Sequence, residues 1–242
     1  MFFFDVDVMI VSRVHQGHAS VIQGGGKALP YCTNWFRVIT LSTPRPEMAR
    51  SPEFDRKKAL EAAMKLFWAR GYTATSLPDL LEAMGIARSS FYASFSTKRE
   101  LFTECLQLFG NRTLAIVDES ARKLPPAALP RAFFDATVLD APPRRTRHGC
   151  MMVNTVLELA EVDPELSQLA TQKLNAIESA FALAFQLAQQ KGQLETSRSP
   201  EELASLVMTL NFGLRIRSRQ NPSRQALEPI IENGLSLLGL AA

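Results

Sequence analysis

Cysteine is scarce in this chain. The three residues, Cys32, Cys105 and Cys150, are scattered, and no C-x-x-C pair occurs. That spacing argues against a zinc ribbon, and a reduced, cytoplasmic setting fits the thiols best. Histidine is as rare, with three in 242 residues, and His15 and His18 both fall in an atypical N-terminal stretch. Together with Cys32 they lack the rigid frame that a metal site needs, and no cofactor is expected. There is no carboxylate pair in an apolar frame, no nucleophile–base set and no phosphate loop, so the chain does not read as an enzyme. No apolar run approaches the roughly 20 residues of a membrane-crossing helix. Net charge is only +3, which excludes a uniformly basic nucleic-acid glue.

What is present divides unevenly. Residues 1–47 open on MFFFDVDVMIVSRV, which has Asp5 and Asp7 where a signal peptide would be basic. Alternation at Val6, Val8 and Ile10 permits a short strand, VIQGGGKALPYC is glycine-rich, and LSTPRPEM is proline-punctuated linker. This stretch is read as a non-native or flexible extension, with Met48 as the expected start. From Ser51 the pattern is helical. Ser51 and Pro52 suit a cap and first-turn proline, and Phe54, Ala59, Ala62, Ala63, Leu66 and Phe67 form an apolar stripe. The first helix ends at Gly71.

Ser76 is then a candidate cap for a second helix, with Asp79 at the reciprocal position and Leu77, Leu80, Leu81 and Met84 at helical spacing. Gly85 suits the tight turn between two crossing helices. A third helix, Arg88 to Phe95, sets Phe91 and Phe95 on one side. Arg88, Ser89, Ser90, Ala93 and Ser94 leave its other side thin. A thin face can enter a major groove about 12 Å wide and approach base edges. Tyr92, Thr75, Ser76 and Lys98 are placed to contact the DNA backbone, which sets register without reading sequence. Between Ala49 and Arg99, nine Lys/Arg stand against five Asp/Glu, a local excess of +4 that suits phosphate contact.

The run GIARSSFYASFSTKRELF resembles the recognition-helix signature of the TetR/AcrR family of bacterial transcriptional regulators, matching at Gly85, Ile86, Phe91, Tyr92, Phe95, Lys98, Glu100 and Leu101. Upstream, LFWARGYTATSLPDLLEAMG is similar to the family's first two helices at Leu66, Phe67, Gly71, Tyr72, Thr75 and Gly85. The resemblance implies an all-α fold of about nine helices. A three-helix helix-turn-helix domain (48–98) would be joined by a long helix to an effector-binding and dimerisation domain (99–242). It also implies a homodimeric repressor that a small apolar effector releases from a palindromic double-stranded operator.

The second half adds its own hints. A fourth helix should run from Lys98 to about Lys123, capped by Ser96 or Thr97, followed by a fifth at Leu129–Leu139 and a loop at APPRRTRHG. A sixth opens at Gly149, a seventh runs from Asp163 and Pro164 to about Lys191, and an eighth starts at Ser199 and Pro200. The ninth spans Ser223 to Leu238. Phe109, Phe133, Phe134, Met151, Met152, Phe181, Phe185 and Phe212 could line an apolar pocket or form ordinary core. Asn154, with Glu158 four residues on, could orient a ligand or satisfy buried backbone. Cys150 stands at a helix N-terminus beside His148 and near Arg147, the setting of a thiol-based redox or electrophile sensor as well as of a small buried side chain. Surplus apolar residues on the last two helices point to self-association in a four-helix interface. A helical interaction protein without specific DNA binding is the competing reading.

Overall fold

The computed structural model describes residues 55–220 and 222–240. The expected strand around Val6–Ile10, the His15, His18 and Cys32 set, the Met48 start, and the Ser51 cap lie outside the described residues. All the regular structure among the described residues is helical, with no strand among them. The order is α1 (Arg56–Arg70), α2 (Leu77–Met84), α3 (Arg88–Phe95), α4 (Lys98–Ala121), α5 (Leu129–Phe134), α6 (Pro143–Thr146), α7 (Met151–Leu159), α8 (Pro164–Gln190), α9 (Pro200–Arg219) and α10 (Arg224–Leu237). Two short pieces are added to the expected nine: α6, a single turn inside the stretch read as a loop, and a 3-10 turn at Pro126–Ala128 before α5.

Local chemistry sets most boundaries. Asp55 caps α1, accepting a hydrogen bond from the Lys58 N–H at 3.1 Å. Ser76 and Asp79 form the reciprocal capping box of α2, and Gly85 ends that helix at φ +66°. Thr97, not Ser96, caps α4. Asp163 caps α8, and Ser199 with Glu202 boxes α9. The fifth helix departs from expectation. It is α-helical only to Phe134, then widens into a π turn at Asp135–Leu139, closed by the Asp140 N–H donating to the Asp135 carbonyl at 2.8 Å. Such turns are rare and recur at functional sites.

Apolar stripes assemble these helices into one continuous core. In the N-terminal head, α1 packs on α2 and α4 around Phe67, Leu80, Phe91, Phe95, Leu101 and Phe102. In the body, α8 is the central rod, packed by α4, α7 and α9. The connecting helix α4 has 24 residues, a length of about 36 Å at 1.5 Å per residue. It belongs to head and body alike. An ion network holds α10 to the fifth helix: Arg131 meets Asp135, Glu228 and Glu232 at 2.9, 3.1 and 3.3 Å.

Candidate DNA-reading face and its coupling to the body

On α3, Phe91 and Phe95 are sealed in the head core. Spacing of four residues puts both rings on one side of the helix and the intervening residues outside. Arg88, Ser89, Tyr92 and Ala93 are exposed, with Tyr92 at 51%, while Ser90 and Ser94 are half-buried. The Tyr92 ring is fixed edge-on against Phe91, centroids 5.4 Å apart, so its hydroxyl end projects from a rigid base. Arg56 braces the C-terminal end of α3. Its guanidinium lies 4.5 Å from the Phe95 ring centroid, donates to the Ser94 carbonyl at 3.3 Å, and pairs with Glu104 at 2.7 Å.

Three of the expected DNA contacts have other duties. Thr75 is fully buried (0%), and its hydroxyl donates to the Gly71 carbonyl at 2.6 Å, so its side chain cannot touch a phosphate. Ser76 is exposed, but its hydroxyl is held by Asp79 in the capping box. Lys98 is half-buried, with its ammonium 4.3 Å from the Tyr72 ring centroid. Burial pulls its pKa below the ordinary lysine value, against the attraction of Glu158.

Glu158 on α7 joins head to body. Its carboxylate accepts from the Tyr72 N–H at 3.1 Å and the Thr73 N–H at 2.7 Å, just beyond the Gly71 that ends α1. Close approach requires glycine at 71: a β-carbon there would lie 2.6 Å from the Glu158 Oε2, on backbone at φ +88°. Nearby, the Trp68 indole donates to the Gly149 carbonyl at 3.2 Å. Arg99, at the start of α4, grips Asp163 at 2.8 and 3.1 Å and Glu165 at 2.6 Å. Hydrogen bonding to Arg99 holds the Asp163 carboxyl below its ordinary pKa. Asn154 donates to the His148 carbonyl at 2.8 Å. Of the two readings for Asn154 and Glu158, satisfying backbone is the one the contacts support.

The expected apolar pocket is mostly core. Phe133, Phe134, Phe181 and Phe185 are all sealed, with the Phe133 ring centroid 5.7 Å from that of Phe134 and 5.5 Å from that of Phe181, which lies 6.1 Å from that of Phe185. Met151 and Met152 are buried on α7, and Phe212 is half-buried on α9. Two of that set, Phe109 and Asn154, border cavities. Phe109 lines a cavity of about 110 Å³ with Trp68, Cys150 and Arg215, and Asn154 lines a neighbouring cleft of about 410 Å³. Cys150 is 4% exposed, and burial pulls the His148 pKa below its ordinary 6.5.

The family model described as bacterial regulatory proteins, tetR family, matches residues 59–105, and that for the tetracyclin repressor-like C-terminal domain matches residues 128–232. The chain belongs to the TetR family. The first match contains α2, α3 and the start of α4, so the TetR helix-turn-helix coincides with the exposed face just described. The TetR regulator ComR of Escherichia coli, described as an HTH-type transcriptional repressor, is 31% identical over 215 residues, covering 85% of this chain and 96% of its own length. TtgR of Pseudomonas putida, an HTH-type transcriptional regulator, is 28% identical over 200 residues, covering 77% and 92%. A solved structure of the TetR family regulator CifR, a cysteine mutant in complex with 26bp double-strand operator DNA, superposes with a TM-score of 0.65 at 30% identity, covering 77% of this chain and 98% of CifR. This chain is accordingly a helix-turn-helix DNA-binding transcriptional regulator, and its TetR relatives are regulators rather than enzymes.

Proposed function

We propose that the protein acts as a homodimeric repressor, held on a near-palindromic operator by two α3 helices and released by a small effector bound in the body. The observation that carries this reading is the division of α3. Two sealed phenylalanines anchor the helix while Arg88, Ser89, Tyr92 and Ala93 face outward. Arg88 is the candidate for base-edge contact. Ser89, Ser90, Ala93 and Ser94 keep the approach close, and Tyr92 serves the phosphates. Repression rather than activation is supported by the description of ComR as a repressor.

Self-association is supported by the outer faces of α9 and α10. Leu206 and Leu237 are exposed, and they line, with Leu210 and Ile230, an apolar groove of about 560 Å³ between the two helices. A second copy would cover this face with its own α9 and α10, making a four-helix contact. Two α3 helices spaced about 34 Å apart would then meet successive major grooves. Binding-site selection with the purified protein on random and upstream genomic DNA tests the reading. The expected result is a palindromic site lost in Tyr92→Ala. A folded dimer with no sequence preference at low salt would instead favour a helical interaction protein.

A further inference from the structure

The cavity of about 110 Å³ lies where head, connecting helix and body meet. Trp68 comes from α1, Phe109 and Ile116 from α4, and Arg215 from α9. No Asp or Glu borders it, whereas Arg112, Arg145 and Arg215 all do. Arg112 is neutralised by Glu61 at 2.5 Å, and Arg145 rests on the Trp68 ring at 5.4 Å. Arg215 is different. It is 6% exposed, and among the described residues it pairs with no carboxylate. Its Nε donates to the Asn211 Oδ1 at 3.0 Å, and its Nη1 to the Thr137 carbonyl at 2.7 Å. That carbonyl belongs to the π turn at Asp135–Leu139, in the last turn of the fifth helix, where carbonyls lack partners along the helix. Among the described residues Nη2 has no acceptor, and Arg215 borders both this cavity and the neighbouring cleft of about 410 Å³.

A guanidinium cannot shed its charge inside proteins, so burial is not relieved by deprotonation as it is for lysine. Two neutral acceptors satisfy part of its fork and none of its charge. Burial accordingly pulls the Arg215 pKa below its ordinary value. A planar carboxylate supplies both the missing charge and a bidentate acceptor.

We infer that this cavity binds a small organic carboxylate, its anionic group on Arg215 and its apolar body against Trp68, Phe109 and Ile116. The volume suits a short-chain or single-ring acid rather than the drug-sized ligands of cavities of roughly 300–1,000 Å³. A bound molecule touches α1, α4 and α9 together. Through Trp68 it also bears on the indole bond to the Gly149 carbonyl. Its effect on DNA rests on the effector-release reading above, but its binding does not.

Calorimetric titration of the full chain with butyrate and benzoate, against butyramide and benzamide, tests the site. At least one acid should saturate near one molecule per chain, with its amide tenfold weaker or worse, about 1.4 kcal/mol. Arg215→Met should weaken the acid at least tenfold. Ile116→Phe, which fills the cavity and keeps the arginine, should do the same, so a folding defect in one variant leaves the other decisive. No saturation by either acid up to about 10 mM, a range that covers very weak ligands, overturns the inference, as does equal affinity in both variants. A labelled operator from the site selection supplies the second arm, in which the bound acid should lower DNA affinity. Binding without that change overturns the effector role. A ligand-free chain that ignores DNA would strike the regulator reading and leave the titration standing.

Discussion

Arg88 and Thr75 are both polar residues of the helix-turn-helix, and the fold sends them opposite ways. Arg88 is exposed on α3 with no carboxylate partner among the described residues, so Arg88→Ala should weaken operator binding by about 1–3 kcal/mol and relax the preference at one base pair. The unfolding midpoint should stay nearly fixed. Anisotropy titration and thermal melting together check this, and an equal loss on every sequence would reassign Arg88 to phosphate. Thr75→Val should do the reverse. It deletes the bond to the Gly71 carbonyl, costs about 0.5–1.5 kcal/mol of stability by denaturant unfolding, and leaves operator affinity unchanged. Residue type alone does not separate these two. Both match DNA-contact chemistry, and only the position of the Gly71 carbonyl decides which one is used up.

At the scale of elements, head and body meet through a few charged contacts placed at helix ends. Glu158→Ala would leave the Tyr72 and Thr73 N–H groups without their acceptor, at a cost of about 1–3 kcal/mol. Amide exchange should accelerate at those two residues first. Exchange unchanged there would mean that the carboxylate does not hold the joint in solution. The Arg99–Asp163 pair makes a pH prediction. Asp163 has a folded pKa below its ordinary 3.8, so its contribution is complete above that value and is lost as pH falls through the lowered one. Asp163→Asn, which retains cap geometry without charge, should therefore flatten the decline of the melting midpoint below about pH 4. A wild-type slope in the variant would show that other carboxylates control acid unfolding. The boundaries of these elements were mostly legible, because Ser76, Gly85, Thr97, Asp163 and Ser199 carry their caps in their own side chains or lack of one. The π turn was not, since nothing in DATVL distinguishes it from continued α-helix.

For the whole molecule, the exposed apolar faces of α9 and α10 concentrate the prediction. Leu237 is 82% exposed in the single chain, so Leu237→Glu should cost the protomer little. In a dimer it would bury a carboxylate, and light scattering should show the mass fall to that of one chain. Operator affinity should fall with it, because one head neutralises fewer phosphates and the salt dependence becomes shallower. A dimer that survives Leu237→Glu, and Leu210→Glu after it, would place the contact elsewhere. The same helix α9 carries Arg215 on its inner side, four residues beyond Asn211 and close to Leu214. A basic residue among buried apolar positions is a readable anomaly. Its spacing alone does not say which side of α9 it faces, because the helix is apolar on more than one side.

The sequence by itself determined the helical class, the order of the helices, their capped ends and the division of α3 into anchoring aromatics and an outer face. These follow from side-chain spacing and from caps satisfied within four residues. The tertiary structure decided which apolar residues are core and which border a cavity. Phe133, Phe134, Phe181 and Phe185 became packed core, while Phe109, Trp68 and Arg215 came to share one space. It also gave Glu158 to the head and buried Thr75. Periodicity tells which residues share a face. What that face meets depends on contacts between residues 60 to 150 positions apart, whose packing no local pattern encodes.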